Sequence, residues 1–218
     1  VLKNILKRKI KFVIWTTTTW TLPGNQAIAL NPTESYAVIK AANGEYYVTA
    51  EALAANTMAE GGIEDYEVVA TYPGSYFEYM TAQHPFLDRE SLLIVGDHVT
   101  LESGTGCVHT APGFGVDDFE VCRKYPQVPM IVSVDAKGVM TEEAGQFEGL
   151  TTDEANKSIA MHLDQTGHLF ALAKIIHQYP HCWRCKSPIL FRATKQCFCS
   201  IKAFSDQALE AIKTVEWI

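Results

Sequence analysis

The 218-residue chain has no apolar run approaching the roughly 18 residues that a membrane span needs. A spanning helix is excluded, and no membrane partner is expected. No secretory leader is visible and none is expected: the opening VLKNILKRKIK is basic, but no long apolar segment follows it. Neither internal repeats nor low-complexity linkers occur, which argues against a solenoid or a string of tethered modules. Cysteine is sparse: there are six, four of them between Cys182 and Cys199. A secreted disulfide scaffold would be shorter and more evenly stapled, so a reducing, cytoplasmic setting is expected. Positive charge is also short, since 18 Lys and Arg against 25 Asp and Glu leave a net charge of −7. Nucleic-acid binders draw much of their affinity from phosphate neutralisation, so this chain alone would hold RNA weakly. Its basic residues crowd the start, at Lys3, Lys7, Arg8, Lys9 and Lys11. The sequence opens at Val1 and stops at VEWI, and we expect it to be an excised piece of a longer protein.

Apolar residues make up 47% of the chain, enough for a packed core. Most apolar segments are short, β-rich and separated by Pro, Gly and Asn. KFVIW, AIAL, YAVIK, EYYVTA, YEVVATY, SLLIVG, GCVHTA, PMIVSV and AKIIHQY all read as strands. Helices are expected over 51–60, 117–125, 152–165 and 203–213. The second should open on a capping box, Asp117 with Glu120. The third carries Ala155, Ile159 and Leu163 at spacings of four. Many strands with few helices predict a mostly β, α+β fold: a twisted or closed β-barrel core with peripheral helices. One domain over 1–200 and an exit segment over 201–218 are expected.

Two stretches carry chemistry. IWTTTTWTLPGN, residues 14–25, sets Thr16 to Thr19 between Trp15 and Trp20. Taken alone it reads as a strand with exposed threonines. Strand side chains alternate faces, however, so four hydroxyls in a row suit a strand that ends in a cleft. The second stretch, GTGCVHTAPGFGVDDFEVCRKY, runs from a strand through Gly113 and Gly115 into a helix. The glycines would allow close backbone approach to a ligand. Asp117 reads as a cap. Asp118, at the positive end of the helix dipole, would be ionised and free to bind an ammonium. His109 reads equally as an ordinary wall histidine.

Trp-Thr-Thr-Thr-x-Trp-Thr-Leu-Pro-x-Asn at 15–25 and His-Thr-Ala-Pro-Gly-x-Gly-x-Asp-Asp at 109–118 resemble the signature stretches of the editing domain of isoleucyl-tRNA synthetases. YPHCWRCKSPILFRAT at 179–194 resembles the segment that leads back to the catalytic core of those class I enzymes. The chain departs from the family at Thr19, where Pro is common, and at Cys197, where Trp is common. Valyl and leucyl relatives typically read Thr-Arg-Pro in the first stretch, so isoleucyl is the better match.

The resemblance implies hydrolytic proofreading: removal of valine misattached to the 3′ end of isoleucine tRNA, and of valyl-adenylate in some settings. Thr16, Thr17 and Thr18 would line the pocket beside Trp15. His109 would form a wall that sets its size, Asp118 would bind the α-ammonium, and Asn25 would hold the terminal adenosine. Gly113 and Gly115 would approach the substrate. No Ser-His-Asp or Cys-His set is readable; positioning a water against a labile ester would suffice. No cofactor is needed for that step. ATP would serve only the synthetic site, elsewhere in the parent chain, since no HIGH-like or KMSKS-like stretch occurs here. The remaining alternatives are a valyl or leucyl editing domain and a non-catalytic, zinc-stabilised RNA-binding module.

Cys182-x-x-Cys185 invites zinc. Cys197-x-Cys199 could complete a four-cysteine site, although CxC is an unusual pairing in structural sites. Alternatively, Cys182 and Cys185 are a half-site completed by cysteines upstream in the parent chain, as the resemblance implies. A third reading is two reduced thiols in a turn. Cys107 and Cys122 read as core residues.

Overall fold

A computed structural model of the chain describes residues 9–173 and 178–216. Lys3, Lys7 and Arg8, and most of the expected strand at 173–179, lie outside the described residues. The strands are β1 (Ile10–Phe12), β2 (Ala27–Leu30), β3 (Ser35–Ala41), β4 (Tyr46–Ala50), β5 (Tyr66–Pro73), β6 (Thr81–Gln83), β7 (Glu90–Val95) and β8 (Val108–Thr110). The helices are α1 (Ala54–Glu60), α2 (Val116–Cys122), α3 (Thr152–Gln165) and α4 (Ser205–Ile212). The expected mostly β, α+β architecture is what forms.

The strands make two four-stranded sheets, ordered β1-β4-β3-β5 and β6-β7-β2-β8. In the second, β2 runs parallel to β7 and antiparallel to β8, placing Ile28 opposite both Leu93 and His109. Every residue of β2 is buried, as suits a central strand written as a continuous apolar run. The sheets meet at one corner. After β1 the chain reaches Trp15, which bridges Val108 in parallel. There the Trp15 N–H donates to the Cys107 carbonyl at 2.7 Å, and the His109 N–H donates to the Trp15 carbonyl at 3.0 Å. Of the twisted and closed forms expected, the described pairings give two sheets linked at this corner.

One core lies around Leu30, Tyr36, Val38, Val48 and Leu93. A second packs Trp20 and Leu22 against Phe114 and the Ala155, Ile159 and Leu163 face of α3. The four-residue spacing read from the sequence thus marks the buried stripe of α3. That helix opens on a capping box between Thr151 and Glu154.

Two expectations are corrected. PMIVSV forms no strand; Val134 makes an isolated bridge to Met140 and is buried in the second core. And α2 starts on Gly115, with no side-chain cap, so Asp117 and Glu120 form no capping box.

Candidate functional site

The sheet ladder ends at Trp15, and the threonines after it fold into a tight loop rather than continuing a strand. Threonine hydroxyls compete with backbone partners, and here they win. The Thr16 hydroxyl donates to the Thr18 carbonyl at 3.2 Å and accepts from the Thr18 N–H at 3.1 Å. The same carbonyl accepts from the Thr21 hydroxyl at 2.7 Å. Residues Thr19–Gly24 then form a 3₁₀ turn. Thr16 is therefore occupied locally. Thr17 is exposed and Thr18 partly buried, and their hydroxyl oxygens lie 3.4 Å apart. Thr19 belongs elsewhere: its hydroxyl donates to the Asn156 side-chain oxygen of α3 at 2.8 Å, and the Trp20 N–H joins it at 2.9 Å. Trp15 is partly buried, its indole lying on Gly104, where an added Cβ would come within 2.7 Å of the ring.

His109 stands on β8 behind this loop, and its ring is buried. Asn25 fixes its protonation pattern. The Asn25 side-chain NH₂ donates to the Ala27 carbonyl at 3.0 Å and to His109 Nδ1 at 2.7 Å. The Asn25 oxygen accepts from the Ser91 hydroxyl. A flipped amide would set oxygen against the Ala27 carbonyl, so only one orientation is good. His109 Nδ1 is thus an acceptor, and its Nε2–H donates to the Thr21 hydroxyl oxygen at 3.0 Å. Burial, with nearby His84 adding to it, pulls the His109 pKa down to about 3. The ring is neutral at pH 7 and has no spare nitrogen. Both amide hydrogens of Asn25 are also committed, which leaves it no donor for an adenosine.

The loop after β8 closes the arrangement. Phe114 packs edge-on against Trp20, with centroids 5.0 Å apart, and lies over Gly24, where an added Cβ would come within 2.5 Å of the ring. The two stretches singled out in the sequence therefore touch. Asp118 is half-buried and reaches back so that its Oδ2 accepts from the Ala111 N–H at 2.7 Å. Burial raises its pKa, against the opposing pull of that N–H and of His98. Desolvation, the largest of these effects, works against the pull toward ionisation expected at a helix start. The glycines make room for the protein itself. A Cβ at Gly113 would come within 2.3 Å of the Ile131 carbonyl oxygen, and one at Gly115 within 2.8 Å of the Asp118 carboxyl carbon.

An isoleucine–tRNA ligase of Caldicellulosiruptor bescii is 55% identical over 211 residues, which is 97% of this chain and 23% of that protein. Those of Moorella thermoacetica and Bacillus cereus (strain AH187) are each 51% identical, over 97% and 99% of this chain and 22% and 23% of theirs. The chain is homologous to one segment of isoleucine–tRNA ligases. It spans under a quarter of the length of those relatives. No protein-family model matches it. Among solved structures, it is similar to GlLeuRS-CP1, with a TM-score of 0.63 and 15% identity over 76% of this chain and 88% of that one. It is also similar to the editing domain of Plasmodium knowlesi cytosolic leucyl-tRNA synthetase, with a TM-score of 0.59 and 11% identity over 76% and 84%. At such identities the likeness shows the fold alone.

Several residues that the sequence did not point to support the candidate site. His84 Nε2–H donates to the Leu22 carbonyl at 3.0 Å, Arg89 donates to the Pro23 carbonyl, and Ser91 holds Asn25. Two open clefts lie beside α2 and β7. One, of about 280 Å³, is lined by Tyr79, Tyr125 and Lys124, and the other, of about 270 Å³, by His98, Asp117 and Glu120. Neither includes Thr16–Thr18.

The cysteines separate. Cys182 and Cys185 share a tight turn in which the Lys186 N–H donates to the Cys182 carbonyl at 2.9 Å. Hydrogen bonds from Ser187 and Cys182 lower the Cys185 thiol's pKa, which suits a thiolate ligand. Among the described residues, no three His, Cys, Asp or Glu gather as a metal site, so Cys197 and Cys199 do not complete a four-cysteine set. No described helix is long and apolar enough to cross a membrane.

Proposed function

We propose that this segment is a hydrolytic editing domain that removes valine from isoleucine tRNA while sparing isoleucine. One bonded path carries the reading: Thr18 to Thr21 to His109 on one side, and two residues along β8 and its loop, Ala111 to Asp118 on the other. It ties the threonine loop, at the Thr18 carbonyl, and the Asp118 carboxylate to one strand end. Homology to isoleucine–tRNA ligases and an editing-domain fold support it.

Isoleucine and valine, the standard example of the problem, differ by one methylene, which an apolar pocket distinguishes by only about 1–3 kcal/mol. A second pocket that admits only the smaller side chain restores accuracy. Asp118 has one oxygen on Ala111 and the other left for the α-ammonium, whose charge would bring the raised pKa back down. Thr17 and Thr18 would hydrogen-bond the ester and orient the attacking water. Water oxygen adds to the ester carbonyl, the bond to the ribose oxygen breaks, and valine leaves with the ribose hydroxyl restored. His109 is excluded as the general base by its bonding pattern, and serves as a neutral, immobile wall. With His109 committed, the water's proton would pass to the departing ribose oxygen, with the neighbouring ribose hydroxyl as a relay. Asn25 acts through His109 rather than on adenosine.

The partners would be the charged tRNA end and the rest of the parent chain, with residues 1–200 as the domain and 201–218 leading out. Cys182 and Cys185 are suited to supply two thiolates of a structural zinc site completed by ligands outside these residues, while the hydrolysis needs no metal. A deacylation assay with valyl and isoleucyl esters on the same tRNA tests the function. Selective loss of the valyl ester is expected, and equal rates or none would refute it.

A further inference from the structure

The β6–β7 hairpin presents three side chains to three residues, Leu22, Pro23 and Asn25, of the turn that follows the threonines. His84 donates to the Leu22 carbonyl at 3.0 Å, and its Nδ1 is occupied by the N–H groups of Phe86 and Leu87 at 3.3 and 3.2 Å. Arg89 donates to the Pro23 carbonyl, and the buried Ser91 hydroxyl donates to the Asn25 oxygen. The Arg89 Nε is buried with no hydrogen-bond partner among the described residues. Burying a guanidinium with an unmet donor is costly, and such a group calls for an explanation beyond packing. Among the described residues, none of the three hydrogen-bonds to the threonine loop or to Asp118. Each instead fixes a carbonyl or amide of Leu22–Asn25, and Asn25 in turn fixes His109.

We infer that His84, Arg89 and Ser91 are positioning residues: they clamp the Leu22–Asn25 turn, and through Asn25 they hold the His109 wall where it separates valine from isoleucine. This rests on the editing function proposed above. The pocket's discrimination would depend on a ring that cannot tilt, and the ring is as rigid as the amide it leans on. Without Ser91, the Asn25 amide loses the partner of its oxygen, and the His109 ring gains freedom on the side of Nδ1.

The test uses the full-length synthetase that carries this segment, with Ser91→Ala, Arg89→Met and Arg89→Lys. For each, kcat and KM for deacylation of valyl and isoleucyl tRNA are measured alongside Tm and the rate of isoleucine activation. Ser91→Ala is expected to lower the valyl-to-isoleucyl kcat/KM ratio about tenfold, the equivalent of one hydrogen bond, with isoleucine activation unchanged. Arg89→Lys, which keeps a donor for Pro23, should recover part of what Arg89→Met loses. A wild-type ratio in Ser91→Ala, with only Tm lowered, would overturn the clamp, and that variant decides the matter should Arg89→Met not fold. Failure of the wild-type enzyme to deacylate valyl tRNA at all would instead overturn the editing function, and the clamp with it.

Discussion

The Asn25 side chain donates to Nδ1 of His109 across 2.7 Å, joining two residues 84 positions apart in sequence. One contact thus fixes the tautomer and the orientation of a histidine that burial keeps neutral. Asn25→Ala would leave a buried Ser91 hydroxyl and the His109 nitrogen unpaired, at a cost of about 1–3 kcal/mol. Asn25→Asp would set a carboxylate beside Nδ1 and favour the protonated ring. By NMR titration, His109 in the wild type should stay neutral down to pH 4, and its pKa should rise in Asn25→Asp. An unshifted value in the variant, or ordinary titration near pH 6.5 in the wild type, would be incompatible with the network.

Stability should fall as the solution is acidified. Burial brings His84 down to about 4 and His109 to about 3. Below pH 6.5 the unfolded chain takes up protons that the native state refuses, so the unfolded state gains, at about 1.4 kcal/mol per unit of depression for each ring. The contribution is whole above pH 6.5 and is lost progressively as pH falls toward the folded values. Asp118, with its raised pKa, acts in the opposite sense. Urea midpoints should therefore decline between pH 6.5 and 4 and flatten when His84 is replaced by Asn, whereas a level profile would count against buried neutral histidines.

Much of the fold is legible in the chain because it rests on local patterns. AIAL, YAVIK and YEVVATY are apolar runs bounded by breakers, and each becomes a strand. The Ala155, Ile159 and Leu163 stripe is a period that only a helix satisfies. PMIVSV misleads because its apolar content serves a core without a ladder. β6, written Thr-Ala-Gln, has no pattern and exists because β7 pairs with it. The threonines and Asp118 are legible as chemistry, but their support is not. Thr21, His84, Arg89 and Ser91 act through partners 62 to 88 positions away, and no spacing announces them.

Gly113 separates two uses of glycine. An added methyl would meet the Ile131 carbonyl oxygen at 2.3 Å. Gly113→Ala should then lower stability by about 1–3 kcal/mol through overpacking, without any ligand present. An unchanged Tm together with weakened substrate binding would return this glycine to a ligand-approach role.

Replacing Asp118 with Asn keeps an acceptor for the Ala111 N–H and removes a half-buried negative charge whose ionisation burial opposes. Thermal melting at pH 7 should show Asp118→Asn at least as stable as the wild type, while valyl-tRNA hydrolysis is nearly abolished. A large drop in Tm would make the carboxylate a structural element, and retained hydrolysis would remove it from the site.

The central claim is that Thr17 and Thr18, the His109 wall and the Asp118 carboxylate bound one pocket for a small branched amino acid. The most direct measurement is a crystal structure of the chain with a non-hydrolysable valyl-adenosine analogue. The analogue's ammonium should sit within hydrogen-bonding reach of the Asp118 oxygen not held by Ala111, with its isopropyl group against His109 and its carbonyl toward Thr17 and Thr18. Binding instead in the cleft beside Tyr79 and Lys124, with Asp118 untouched, would contradict the account.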